Sequence, residues 1–221
     1  ATWTGKQIFP AGNNSIRVTC IAVNPYNRTV VASNELGYAV PFLIMSYSLD
    51  YGTTWNQVNF NFGYTYMASI KSILFANQKF VATTNLEIIT SSNGINWTRI
   101  RLGYNSTLGY ETDSYTCFSV QYNGEIWVVP SENTDIYNDL GEKSVIWWSE
   151  NAVNWNKGVL INGSFPLGSK CVAWNGSIWL VGSSMSYDDV KSNNLIYSYD
   201  GKTWYNTQSN TIINLVNLGI G

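Results

Sequence analysis

Ser48-Leu49-Asp50-Tyr51-Gly52-Thr53-Thr54-Trp55 has the form Ser-x-Asp-x-Gly-x-Thr-Trp, and the chain repeats it. Ser198-Tyr199-Asp200-Gly201-Lys202-Thr203-Trp204 is the same pattern shortened by one residue. Ser91 to Trp97 and Ser149 to Trp155 are weaker echoes, with Asn93 and Asn151 in place of the Asp. Each element has a structural use. A short acceptor at Asp50 or Asp200 can take nearby backbone N–H groups and hold a tight turn. Gly52 or Gly201 supplies positive φ. The closing Trp covers the hairpin and buries up to roughly 200 Å². Ser48, Asp50, Gly52, Thr54, Trp55, Trp97, Trp155, Ser198, Asp200, Gly201, Thr203 and Trp204 are therefore expected to be scaffold.

Measured on these tryptophans and Trp3, the repeat spacings are 52, 42, 58 and 49 residues. Four-stranded propeller blades need periods of about this size. The last period shows the internal order. An apolar run from Lys170 to Trp174 meets Asn175-Gly176, a hairpin signal. Ile178 to Val181 returns, a polar loop leads to Leu195 to Ser198, and the box and Trp204 follow. The expected fold is all-β: a β-propeller of four-stranded antiparallel blades forming one domain over 1–221. Repeats are placed at about 16–60, 69–101, 116–160 and 170–207. A partial fifth blade comes from 1–9 and 208–221, so five blades are favoured. The ends also fit a piece of a longer propeller, or a terminal strand that joins a neighbouring subunit. Ala1 in place of Met is read as the start of a processed or excised chain.

Composition narrows the function. Charged residues are 12% and the net charge is −2, which argues against a nucleic-acid partner. Aromatic residues are 15%, with ten Trp and fifteen Tyr. There is no histidine, so His-based acid–base catalysis and His-ligated metals are excluded. No apolar run reaches membrane-span length, and no signal peptide is read. Cys20, Cys117 and Cys171 are expected as small apolar residues in equivalent core positions, not as a disulfide framework. Six Asn-x-Ser/Thr sequons, at Asn13, Asn27, Asn96, Asn105, Asn162 and Asn175, are about what chance yields here.

The boxes resemble the Asp-box, or bacterial neuraminidase repeat, of sialidase-like β-propellers. Ser48, Asp50, Gly52, Thr54 and Trp55 match the full pattern. Similar repeats occur in proteins of large DNA viruses and in secreted microbial proteins. The resemblance implies a propeller scaffold. Sialidases of this type use three arginines, a Tyr–Glu nucleophile pair and an acidic Asp. This chain has only Arg17, Arg28, Arg99 and Arg101, and lacks the Arg-Ile-Pro sequence that usually precedes the first box. The expectation is a chain that is not a sialidase and not an enzyme.

Loop length then points to a site. In a four-stranded blade the first-to-second and third-to-fourth turns share one end, and here they are short. The long insertions, 34–41, 101–115, 132–143 and 183–194, fall at the other end. They carry nine of the fourteen acidic residues. Long loops on a rigid scaffold are where function is usually placed. The candidate ligand residues are Tyr104, Tyr110, Glu111, Asp113, Asp135, Tyr137, Asp139, Tyr187, Asp188 and Asp189. Acidic groups beside tyrosines suit sugar hydroxyls, a Ca²⁺ ion or a cationic protein patch. No cofactor is expected beyond a Ca²⁺ ion that Asp135 to Asp139 or Asp188-Asp189 could hold. The expected function is non-catalytic recognition of a glycan or protein, extracellular or on a virion surface, without membrane insertion. The alternatives are a structural subunit joined through terminal strands, as in a homo-oligomer, and, behind it, a glycosidase.

Overall fold

The computed structural model describes residues 8, 17–35, 45–60, 69–102, 104–105, 110–111, 115–133, 144–162, 165, 168–183 and 195–207. These residues form strands and turns, and none is helical. The chain divides into two compact units, Ala1–Ile100 and Arg101–Gly221.

The first unit holds two sheets. One is β1 (Arg17–Val23), β2 (Val30–Glu35), β3 (Met45–Ser48) and β4 (Asn56–Gln57). The other is β5 (Ile70–Ala76), β6 (Lys79–Thr84), β7 (Ile88–Ser91) and β8 (Thr98–Ile100). Both are antiparallel meanders whose spatial order is their chain order. In the second unit, β9 (Tyr104–Asn105) and β10 (Tyr110–Glu111) form a small hairpin. Next, β11 (Tyr115–Cys117) and β12 (Gln121–Tyr122) both pair with β13 (Trp127–Asn133), followed by β14 (Ser144–Ser149) and β15 (Asn156–Lys157). A short β16 (Val159–Leu160) precedes the last meander, β17 (Ser169–Trp174), β18 (Trp179–Ser183), β19 (Leu195–Ser198) and β20 (Thr203–Asn206). The fold is all-β, built of four-stranded antiparallel propeller blades. The partial blade expected from 1–9 and 208–221 lies outside the described residues, apart from Ile8.

Alternation puts one face of each sheet against its partner. In the first unit Ala22, Val31 and Met45 meet Ile73, Phe80, Ala82 and Ile89. In the second, Ile126, Val128 and Ile146 meet Trp179, Val181, Ile196 and Trp204. Three blades place an aromatic pair directly across their first hairpin: Phe75 with Phe80, Tyr122 with Trp127, and Trp174 with Trp179, with ring centres 4.7, 4.6 and 5.0 Å apart. Such pairs stabilise a sheet beyond simple burial.

Hairpin chemistry differs from the sequence reading. Asn123-Gly124 and Asn175-Gly176 do not form two-residue turns. Each opens a four-residue loop, because Tyr122 pairs with Trp127 and Trp174 with Trp179. Asn123 Oδ1 accepts the N–H groups of Glu125 and Ile126, and Asn175 Oδ1 those of Ser177 and Ile178. The Asn side chain thus organises the turn. The two-residue turn is Asn77-Gln78, with φ of 44° and 59°. Positive φ at both central positions is what a type I′ turn requires.

Two further features depend on packing. β16 runs parallel to β20, with Val159 N–H donating to Lys202 O at 2.9 Å and Ile161 N–H to Trp204 O at 3.0 Å. The chain leaving the third blade is thereby bonded to the outer strand of the fourth. Gly158 permits this approach, since a Cβ there would lie 3.0 Å from the Trp204 indole nitrogen. The cysteines are free and unlike one another: Cys117 is buried, Cys20 half-buried and Cys171 exposed. Cys20 and Cys171 each follow a register shift and pair with Ser33 and Gly182, whereas Cys117 pairs with Ser131, one step further along its strand.

Candidate functional site

Each blade has two ends, and the box closes one of them. In the first box Ser48 Oγ donates to Asp50 Oδ1 at 2.7 Å and accepts from Gly52 N–H at 2.7 Å. Asp50 accepts from Thr54 N–H and from the Thr54 hydroxyl, both at 2.8 Å. The Trp55 indole donates to Gly52 O at 2.9 Å. In the fourth box Asp200 Oδ1 accepts from the N–H groups of Lys202 and Thr203. Asn93 Oδ1 does the same for Ile95 and Asn96, and Asn151 Oδ1 for Val153 and Asn154. One acceptor oxygen suffices, so Asp and Asn build the same turn. Ala152 occupies the glycine position of the third box at φ 58°.

These bonds set the electrostatics. The Thr54 backbone N–H, then the Ser48 and Thr54 hydroxyls, hold the Asp50 carboxyl down at about 2. At Asp200 burial pushes upward, but the N–H groups of Thr203 and Lys202 and the Ser198 hydroxyl outweigh it, and the net shift is downward. Both carboxylates stay ionised and fully engaged inside their turns.

The tryptophans divide. Trp55 and Trp97 cap their own turns, each donating to the box glycine carbonyl. Trp204 is fully buried in the core, and among the described residues its indole N–H has no hydrogen-bond partner.

The box end also carries the first hairpin of every blade. Among the described residues a cleft opens there in each unit. The first, about 770 Å³, is lined by Tyr26, Phe75, Asn24, Asn27, Asn77 and Gln78. The second, about 560 Å³, is lined by Asn123, Glu125, Glu150, Tyr199, Asp200 and Lys202. There Lys202 Nζ donates to Glu150 at 3.0 Å and lies 4.2 Å from the centre of the Trp148 ring.

From the other end leave the connections 36–44, 85–87, 134–143 and 184–194. Among the candidate ligand residues, Tyr104, Tyr110 and Glu111 lie on the small hairpin, where Glu111 pairs with Tyr104. Asp113, Asp135, Tyr137, Asp139, Tyr187, Asp188 and Asp189 lie outside the described residues. The feature at this end that sequence reading missed is an ion pair. Arg99 Nε donates to both oxygens of Glu87 at 2.8 Å, and both side chains are largely buried. The signal was present in Glu87, a lone carboxylate at the head of the buried Ile88-Ile89 strand. Among the described residues, no three His, Cys, Asp or Glu side chains come together to hold a metal ion. No helix there is long and apolar enough to cross a membrane.

No family model and no curated protein sequence matches this chain. Solved structures do. An ancestral GH74 enzyme is 15% identical with a TM-score of 0.58, over 88% of this chain and 26% of its own. The sialidase of Trypanosoma rangeli, in complex with sialic acid, is 18% identical with a TM-score of 0.54, over 87% of this chain and 37% of its own. YCF48 bound to D1 peptide is 10% identical with a TM-score of 0.54, over 88% of this chain and 55% of its own. The chain therefore spans between about a quarter and about half of the length of these structures. At such identities the likeness is one of fold. It nonetheless corrects one expectation, that the chain is not an enzyme. The fold it shares is one on which a GH74 enzyme and a sialidase operate, so a missing histidine and few arginines do not decide the class. What the chain shares with catalysts and with a peptide-bound protein alike is the propeller scaffold.

Proposed function

We propose that this chain is a recognition propeller that binds a glycan, or a protein surface, through the blade ends that carry the long connections. The observation behind this reading is the asymmetry of the blades. Boxes and first hairpins tie off one end with hydrogen-bonded turns, while 36–44, 134–143 and 184–194 leave from the other. The residues proposed to contact the ligand are Tyr104, Tyr110, Glu111, Asp113, Asp135, Tyr137, Asp139, Tyr187, Asp188 and Asp189, which the sequence places in the insertions 101–115, 132–143 and 183–194. Carboxylates and phenols together suit sugar hydroxyls, directly or through a Ca²⁺ ion. The boxes, read as Asp-boxes, serve this site indirectly by fixing the strand ends. An extracellular or virion-surface setting goes with the role.

Glycosidic hydrolysis at the same end is the second reading, favoured by the GH74 and sialidase neighbours. Two carboxylates flanking a glycosidic bond are sufficient for it, without histidine. One experiment serves both. The protein is applied to a glycan array with and without calcium, and bound glycans are then incubated and assayed for new reducing ends. The expected result is selective binding of at least one glycan that Asp135→Asn and Asp188→Asn abolish. New reducing ends sensitive to the same substitutions select the hydrolytic reading. A blank array under both conditions, with no hydrolysis, overturns the glycan proposal.

A further inference from the structure

The first-unit cleft at the box end has a lining unlike that of its second-unit counterpart. Among the described residues it is lined by aromatic rings, carboxamides and a serine, and by no charged side chain. Tyr26 stands at the tip of the β1–β2 turn, 84% exposed, its ring centre 6.4 Å from that of Phe75. That tip is held in place. Asn24 Oδ1 accepts from Tyr26 N–H at 2.9 Å, Asn24 N–H donates to Thr29 O, and Tyr51 N–H donates to Arg28 O. A turn whose backbone is fixed in advance costs little further ordering when a ligand arrives.

Across the cleft, Asn77 and Gln78 both have positive φ. Glycine takes that conformation freely and Gln does not. Asn tolerates that conformation, so it is at Gln78 that the chain keeps a carboxamide where the backbone alone favours glycine. Both side chains are exposed, and among the described residues neither has a hydrogen-bond partner. Asn27 uses its oxygen on Thr29 N–H and retains its amide hydrogens. Each free carboxamide offers one acceptor and two donors. A neutral sugar presents one apolar C–H face and a rim of hydroxyls that both donate and accept. The aromatic pair matches the first and the carboxamides match the second. A charged ligand would find no counter-charge among the described lining residues, whereas the second-unit cleft bears Glu125, Glu150, Asp200 and Lys202. A volume of about 770 Å³ is within the range of small-molecule sites.

We propose that this cleft is a binding site for a neutral oligosaccharide, with Tyr26 and Phe75 as the stacking surface and Asn27, Asn77 and Gln78 as the hydroxyl partners. It is separate from the long-connection end and does not rest on the reading of that end.

The test is saturation-transfer difference NMR and calorimetry on the whole chain, using cellohexaose, maltohexaose, xylohexaose and chitohexaose. Sialyllactose and polygalacturonate are the acidic comparison. Saturable binding of at least one neutral probe is expected. Tyr26→Ala should weaken it about tenfold or more. Gln78→Gly relieves the backbone and so keeps the fold, yet should also weaken binding several-fold. Asp135→Asn and Asp188→Asn should leave it unchanged, which separates this site from the one at the long connections. The proposal is overturned if no neutral probe binds, if acidic probes bind as well as neutral ones, or if both cleft variants bind like wild type.

Discussion

Asp50 holds Thr54 twice, through its backbone N–H and through its hydroxyl, both at 2.8 Å. The carboxyl titrates at about 2, against 3.8 for an unperturbed group. A depressed folded value means that ionised Asp50 favours the folded chain. This contribution is complete above the unfolded value and is lost as pH falls from 3.8 towards 2. The unfolding midpoints of wild type and Asp50→Asn should therefore converge across that window. A gap between them that stays constant with pH would disprove the role.

Gly201 is required twice over. Its φ is 70°, and a Cβ would lie 2.5 Å from Ile126 Cδ1 and 3.0 Å from the Trp179 indole nitrogen. Left-handed backbone at a residue with a Cβ costs about 1–2 kcal/mol, and overpacking about 1–3 more. Gly201→Ala should lose roughly 2–5 kcal/mol in urea unfolding. Gly124→Ala is the control: its Cβ would meet nothing within 4 Å, and only backbone strain remains. A loss at Gly201 no larger than the roughly 1–2 kcal/mol of backbone strain would remove the packing argument.

The Glu87–Arg99 pair is enclosed, with side-chain exposures of 3% and 12%. Removing one partner of such a pair costs about 3–5 kcal/mol, because the other charge stays buried, whereas replacing both can be nearly neutral. Arg99→Met should be strongly destabilising, and adding Glu87→Leu should restore most of the loss. A double-mutant cycle with no coupling would show that the two charges act independently.

Tyr197 provides an alkaline counterpart to Asp50. Burial first, and then the neighbouring Tyr199 and Tyr205, push its phenol above the usual 10.0. Its ring stacks on Tyr205 at 5.4 Å and meets Tyr199 edge-on at 5.7 Å. The raised value means that the folded chain favours the neutral phenol. That stability is present below 10 and is lost as pH rises through the folded value. Ultraviolet titration should show a late-titrating tyrosine in wild type that titrates earlier when Tyr199→Phe and Tyr205→Phe are combined. A titration unchanged by both substitutions would leave only burial as the cause.

Sequence alone determined what short-range chemistry determines. The apolar alternation and the turn residues between runs dictate short antiparallel strands in meanders. An Asn or Asp two or three residues ahead of backbone N–H groups folds its own turn wherever it stands, so the box is legible from eight residues. The candidate site was legible only as a location, because loop length tells which strand ends are free but not how side chains converge. Tertiary structure decided the rest. It sent the box tryptophans to different fates, Trp55 over its own turn and Trp204 into the core, because burial depends on the neighbouring blade. The turn at Asn77-Gln78 was legible in the sequence, but register left Asn123 and Asn175 to four-residue loops, because strand pairing outweighs a dipeptide's preference. Tertiary structure paired β16 with β20 and Glu87 with Arg99. It also grouped Tyr26, Phe75 and Gln78, from different strands and turns, around one neutral cleft. Such contacts link residues far apart in the chain, and no local pattern encodes them.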